Sequence, residues 1–181
     1  MKMLKLPFSA TVTVSTEGTN LTEAVERAQE LAKNRQAIID GALSIEGSLI
    51  QIISYYFFGA MHEKKQNFDL IILRSSWCSF AEKRRIVQFI IEEEKLLNGK
   101  GKNDFLEALR KVGKWRNAFA HGSIQVTGQE LYLCYFESKS RTDLINDSVL
   151  TDIETLFKET SQQIHSIAQN YCKPTVDQSV P

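Results

Sequence analysis

Leu21, Ala24, Val25, Ala28 and Leu31 recur in steps of three and four, and Ile38, Ala42, Ile45, Leu49, Ile52 and Tyr56 carry the rhythm onward. Such spacing places residues on one face of a helix, so this segment predicts one very long helix, or two with a break near Asn34. Ile39, Leu43, Ile50, Ile53 and Phe57 form a second apolar stripe there, and Glu46 interrupts it. Ahead of the helix, SATVTVS (Ser9 to Ser15) alternates small apolar and hydroxyl side chains, the pattern of a short half-buried strand. Gly18 to Asn20 makes a turn, with Asn20 as N-cap and Glu23 three residues on.

Residues Phe68 to Leu73 suggest a short helix. SFAE, Ser79 to Glu82, is a capping box opening a helix through Leu97, with Ile86, Val87, Phe89 and Ile90 inward. NGKGKN reads as a loop, and Asn103 then caps a helix with the stripe Phe105, Leu109, Val112 and Phe119, stopping at Gly122. SIQVTGQELYLCYFES predicts two strands joined by a turn at Thr127 and Gly128, with RTDLIND as a third. A last helix from near Ser148 buries Leu150, Ile153, Leu156, Phe157, Ile164 and Ile167. The expected fold is mainly α, a helical bundle with a small antiparallel hairpin or sheet before the last helix. Residues 1–19 make an N-terminal extended or strand segment, 20–171 a single helical domain and 172–181 a frayed, flexible tail.

Composition leaves that picture standing. Apolar residues make up 43% and charged residues 24% of the 181, as in ordinary globular domains. Lysine and arginine balance aspartate and glutamate at 22 each, which argues against coating nucleic acid through bulk charge but leaves a local basic groove open. Cys78, Cys134 and Cys172 lack metal-ligand spacing and read as free thiols of a reducing compartment. The N-terminus makes a poor signal peptide, and the apolar run from Leu49 to Met61 is too short to span a bilayer. A cytoplasmic protein without membrane contact is expected. No glycine-rich phosphate loop, HExxH or CxxC is present, so neither a metal nor another cofactor is expected.

The candidate chemistry lies in GKWRNAFAHGS, Gly113 to Ser123. On a helical wheel Phe105, Leu109, Val112, Arg116 and Phe119 fall within about 80° of one another, which puts Arg116 in the middle of the apolar stripe. His121 lies about 140° away, beside Arg110, Lys114 and Asn117. A guanidinium on a packed surface needs an anion, either a carboxylate such as Glu46 or a phosphate from outside. His121 reads by itself as a helix C-terminal residue favoured by the dipole. His62 and His165 have no motif around them and are expected on the surface.

The run Arg116-Asn117-Ala118-Phe119-Ala120-His121 resembles the R-x(4–6)-H motif of the HEPN superfamily, and its Asn after Arg is similar to the RNxxxH signature of RNA-cutting CRISPR effectors. Parts of the layout also resemble the mannitol-operon repressor relatives. The HEPN resemblance implies a metal-independent endoribonuclease that leaves a 2′,3′-cyclic phosphate, acting as a homodimeric toxin or antiviral-defence effector with an antitoxin or defence partner. It implies Arg116, His121 and Asn117 as catalytic residues, two copies of each meeting across the dimer. Such chemistry needs a base, an acid and positive charge on the phosphorane, which imidazole and guanidinium supply. Arg110 and Lys114 would track the RNA backbone, and Trp115 would stack a base or act as a partly buried anchor. Glu46 would stand behind Arg116. Lys83, Arg84 and Arg85 belong to a run of cations expected mostly on solvated helix faces. Toxins of the family silenced by a nucleotidyltransferase carry a tyrosine two residues after the histidine; Ser123 stands there instead, so that modification is not expected. The competing reading is a non-catalytic HEPN-like regulatory or protein-interaction module.

Overall fold

The computed structural model describes residues 2–5, 11–14, 21–60, 63–127 and 130–172. The elements in chain order are β1 (Lys2–Lys5), β2 (Thr11–Val14), α1 (Leu21–Phe58), α2 (Lys65–Phe68), a π-helical turn (Asp69–Leu73), α3 (Phe80–Glu93), α4 (Gly99–His121), β3 (Ser123–Thr127), β4 (Glu130–Phe136), β5 (Ser140–Leu144) and α5 (Asp147–Tyr171). The fold is mainly α, with sheet strands directly before the last helix, as the pattern predicts. The chain groups into two compact units: Met1–Ala42 with Lys114–Phe157, and Leu43–Gly113 with Lys158–Pro181.

The first unit holds the sheet, which is larger than the expected hairpin. Its five strands lie in the order β1-β2-β3-β4-β5. β2 pairs with β3 in parallel, Val12 opposite Ile124, and the other neighbours are antiparallel. β1 was not expected because KMLK offers two apolar residues without alternation. β3 and β4 do alternate, burying Ile124, Val126, Leu133 and Tyr135 on one face, with Ile124 directly opposite Leu133. Gly128 of the expected turn, the cap at Asn20 and the tail beyond Cys172 lie outside the described residues. Leu31, Ile38 and Ala42 of α1 and Ile153 and Phe157 of α5 complete this core. A Cβ at Gly41 would stand 3.0 Å from Phe157 Cδ1, so glycine lets that ring lie against the helix. α5 starts on Asn146, whose Oδ1 accepts the Val149 N–H at 3.0 Å.

In the second unit Ile45, Leu49, Ile52 and Ile53 are essentially inaccessible, together with Val87, Ile90 and Ile91 of α3. Phe105, Leu109 and Val112 of α4 and Ile164 and Ala168 of α5 are equally so. Each such side chain, Ala168 apart, contributes roughly 1.5–3 kcal/mol of burial free energy. Ser79 caps α3 as its SFAE motif predicts, accepting the Glu82 N–H at 3.3 Å. Three expectations need correction here. α3 stops at Glu93 rather than Leu97, because Lys95 takes a left-handed φ of 53° that no helix continues through. α4 begins at Gly99, so the glycines of NGKGKN do not keep it a loop and Asn103 lies inside the helix. Phe89, expected inward, is 54% exposed, and Lys83 holds a buried place instead. Ser54, fully buried on α1, donates to Asp69 at the start of the π turn.

α1 is one helix, unbroken at Asn34. Its stretch Gln29–Phe58 is long and apolar enough, by length and composition, to cross a membrane, more than the run from Leu49 suggested. Many of its apolar side chains are buried by protein, as in a core helix.

Candidate functional site

The end of α4 positions the motif. Phe105, Leu109, Val112 and Phe119 are buried to 1% exposure or less, so the predicted stripe is the inward face of the helix. Arg116 interrupts that stripe and is half-buried, whereas His121, the last residue of the helix, is exposed. The rotation between them leaves the imidazole exposed and the arginine side chain partly covered. Arg116 Nη1 donates to Asn117 Oδ1 at 3.2 Å. The motif's first two residues are therefore bonded to each other, and Asn117 orients the guanidinium as well as presenting an exposed amide.

Gly122 ends the helix. Its N–H donates to Ala118 O at 2.8 Å, satisfying one of the carbonyls that a helix end leaves open. A Cβ there would run into Ala118 O and stand 3.0 Å from both Cys134 O and Leu133 Cδ1. Only glycine fits, and the close approach passes the chain from His121 directly into β3. Ala120 O is held from another side: Arg35 Nη2, on α1, donates to it at 2.8 Å. Arg35 is half-buried, and desolvation pushes its pKa below the usual guanidinium value. No local pattern announces this residue, since its partner is a backbone carbonyl 85 residues away.

The expected RNA-binding side chains take more local roles. Lys114 Nζ lies 3.8 Å from Asp143 Oδ2, 5.1 Å from the centre of the Trp115 ring and 5.8 Å from that of Tyr135. Tyr135 donates its hydroxyl to the same Asp143 oxygen at 2.8 Å; burial, then that hydrogen bond, raises its pKa far above the ordinary phenol. Trp115 is half-buried, tilted against Phe119 at 6.1 Å between ring centres, which matches the anchor reading and leaves part of the ring open. Arg110 binds Glu107 through two nitrogens, at 2.8 and 2.7 Å, and this bond holds the Glu107 carboxyl below its usual range.

Glu46 is half-buried on α1 and accepts from Lys83 Nζ at 2.6 Å. Lys83, whose side chain is only 3% exposed, also donates to Cys78 O at 2.6 Å. Within the run of cations expected mostly on solvated faces, Lys83 is thus an exception. The burial of Phe80, Val87 and Ile90 on the same helix face would have signalled its place, since Lys83 is at their helical spacing. His165 is exposed and bonded to Gln169, and His62 lies outside the described residues. Among the described residues, no group of three or more His, Cys, Asp or Glu side chains is placed to hold a metal ion.

A cavity of about 510 Å³ in the first unit is lined by Glu30, Glu130 and Asp147 together with Asn34, Asn146 and aliphatic side chains. Its carboxylates suit a polyanion poorly, so the helix end and not this cavity is the candidate phosphate site. The chain matches no family model, no curated protein and no solved structure.

Proposed function

We propose that this protein is a metal-independent endoribonuclease of the HEPN type, acting as a homodimer in a toxin or antiviral-defence role. The observation that carries the reading is the pairing, on one helix end, of an exposed His121 with a part-exposed Arg116 braced by Asn117. In this reading one imidazole takes the proton from a 2′-hydroxyl, whose oxygen attacks the adjacent phosphorus. The 5′-oxygen leaves with a proton from the second imidazole, and a 2′,3′-cyclic phosphate remains. Arg116 braces the negative charge of the phosphorane with its planar fork. A single chain brings one such imidazole, so the reading requires a two-fold dimer that joins two α4 ends. Lys114 and the open part of Trp115 hold the neighbouring nucleotide, and Arg110 contributes weakly because Glu107 already neutralises it.

The test is cleavage of a labelled single-stranded oligoribonucleotide by purified protein in EDTA. Wild type should cut and folded His121→Ala should not; equal cutting by both would identify a contaminant and end the proposal. Light scattering that finds only a 20.6 kDa monomer at micromolar concentration would remove the composite site. A second reading, a protein-interaction module, is favoured by the exposed aromatic surface of the second unit. Phe57, Phe89 and Trp77 are each more than half exposed, and Tyr56 packs edge-on against both phenylalanines. No cleavage by any folded preparation would favour that module.

A further inference from the structure

The two groups that close the end of α4 differ in kind. Gly122 uses its own backbone, whereas Ala120 O recruits a guanidinium from α1. The Ala120 carbonyl belongs to the peptide linking Ala120 to His121, so whatever holds that oxygen holds the peptide plane from which the His121 side chain projects. Water can satisfy a carbonyl at an exposed helix end. A half-buried arginine is a costly substitute, because its charge loses solvent and its long side chain loses rotamer freedom. It adds a fixed direction: one N–H at 2.8 Å spanning two elements far apart in sequence. The last turn of a helix otherwise frays, and an exposed terminal residue has few contacts of its own to fix it.

We infer that Arg35 is a positioning residue for His121, pinning the Ala120–His121 peptide so that the imidazole is held in one orientation at the helix end. The inference rests on the proposed nuclease reading for its purpose, but not for its physical content. The hydrogen bond of Arg35 goes to a backbone oxygen and not to the imidazole, so it acts through the backbone. Loss of the pin should therefore lower turnover more than substrate binding, since misoriented catalytic groups lose rate while phosphate contacts elsewhere persist.

The experiment compares wild type with Arg35→Met, which keeps the apolar stem, and with Arg35→Lys, which keeps a charged donor. Hydrogen exchange should quicken at the Gly122 amide in Arg35→Met, and the His121 imidazole resonances should move or broaden. Arg35→Lys should recover most of both signals. With RNA, Arg35→Met should lose about tenfold or more in kcat with KM little changed, and Arg35→Lys should regain part of it. If Gly122 exchange and the His121 resonances in Arg35→Met match wild type, the inference is overturned whatever the nuclease assay gives. Should Arg35→Met fail to fold, the same two signals in Arg35→Gln decide, read in the same way. If wild type and His121→Ala prove equally inert toward RNA, the nuclease reading fails alone, and the spectroscopic arm still decides whether Arg35 positions the histidine.

Discussion

Lys83 and Arg116 both place a cation on the apolar stripe of a helix, one in each compact unit, and they come to different ends. Lys83 is closed in, with Glu46 and a backbone carbonyl both at 2.6 Å. Arg116 stays half open and leans on the amide of Asn117. Helical spacing alone cannot separate the two, because it reports the face and not the depth. A cation that is sealed and doubly bonded serves the fold; one that keeps an open edge beside a titratable group can serve chemistry. The two side chains also differ in capacity: a guanidinium carries five N–H donors in a planar fork, whereas a lysine ammonium used twice has one left.

The largest expected effects test this division directly. His121→Ala should lower RNA cleavage about a hundred- to ten-thousand-fold while leaving the melting temperature within the scatter of repeated scans. A matching fall in melting temperature would make His121 structural and erase the contrast. Lys83→Met should do the reverse. It takes from the Glu46 carboxylate its ammonium partner at 2.6 Å, so urea unfolding should show a loss of about 3 kcal/mol, with cleavage per folded molecule unchanged. Stability equal to wild type would mean that Lys83 is no more committed than a surface lysine.

A smaller effect sharpens the boundary of the site. Gly122→Ala must push against two backbone carbonyls and Leu133, at a cost of about 1–3 kcal/mol, and it should disturb the α4 end before the rest of the fold. Urea unfolding gives the cost, and hydrogen exchange at residues 118–123 shows where it falls. The smallest effect is at the Arg110–Glu107 pair, which is wholly on the surface. Its hydrogen bond depresses the Glu107 pKa, so any contribution to stability is present above the ordinary glutamate range and lost as the pH falls through the lower folded value. Melting of Arg110→Ala at neutral pH should be indistinguishable from wild type, and a clear drop would give this exposed pair a weight that solvent screening does not allow.

Periodicity makes the α4 stripe, the Ser79 cap and the inward face of α5 legible in the sequence, because each is a local relation within one helix. What stays hidden is long-range. β1 carries too few residues to show alternation and exists through its pairing with β2. The start of α4 is masked by two glycines whose turn propensity the rest of the helix overrides. Arg116, Asn117 and His121 are found together because they lie within one six-residue motif, but the residue that holds their helix end, Arg35, meets it through a carbonyl that any amino acid would present. The partner of Lys83 is invisible for a related reason: Glu46 lies 37 residues away, and no local pattern joins the two.

The parallel pairing of β2 with β3 also bears on how the molecule is born. β2 leaves the ribosome about a hundred residues ahead of its partner strand, with the four helices α1 to α4 made in between. The intervening helices can form on local contacts while the early strand waits, its edge unpaired on the side β3 will take. The motif helix is therefore synthesised before the strand that follows it can dock, and the turn bearing His121 is among the later parts of the chain to become fixed. Under the proposed nuclease reading, a chain assembled in this order would gain the geometry of His121 only after β3 has been made.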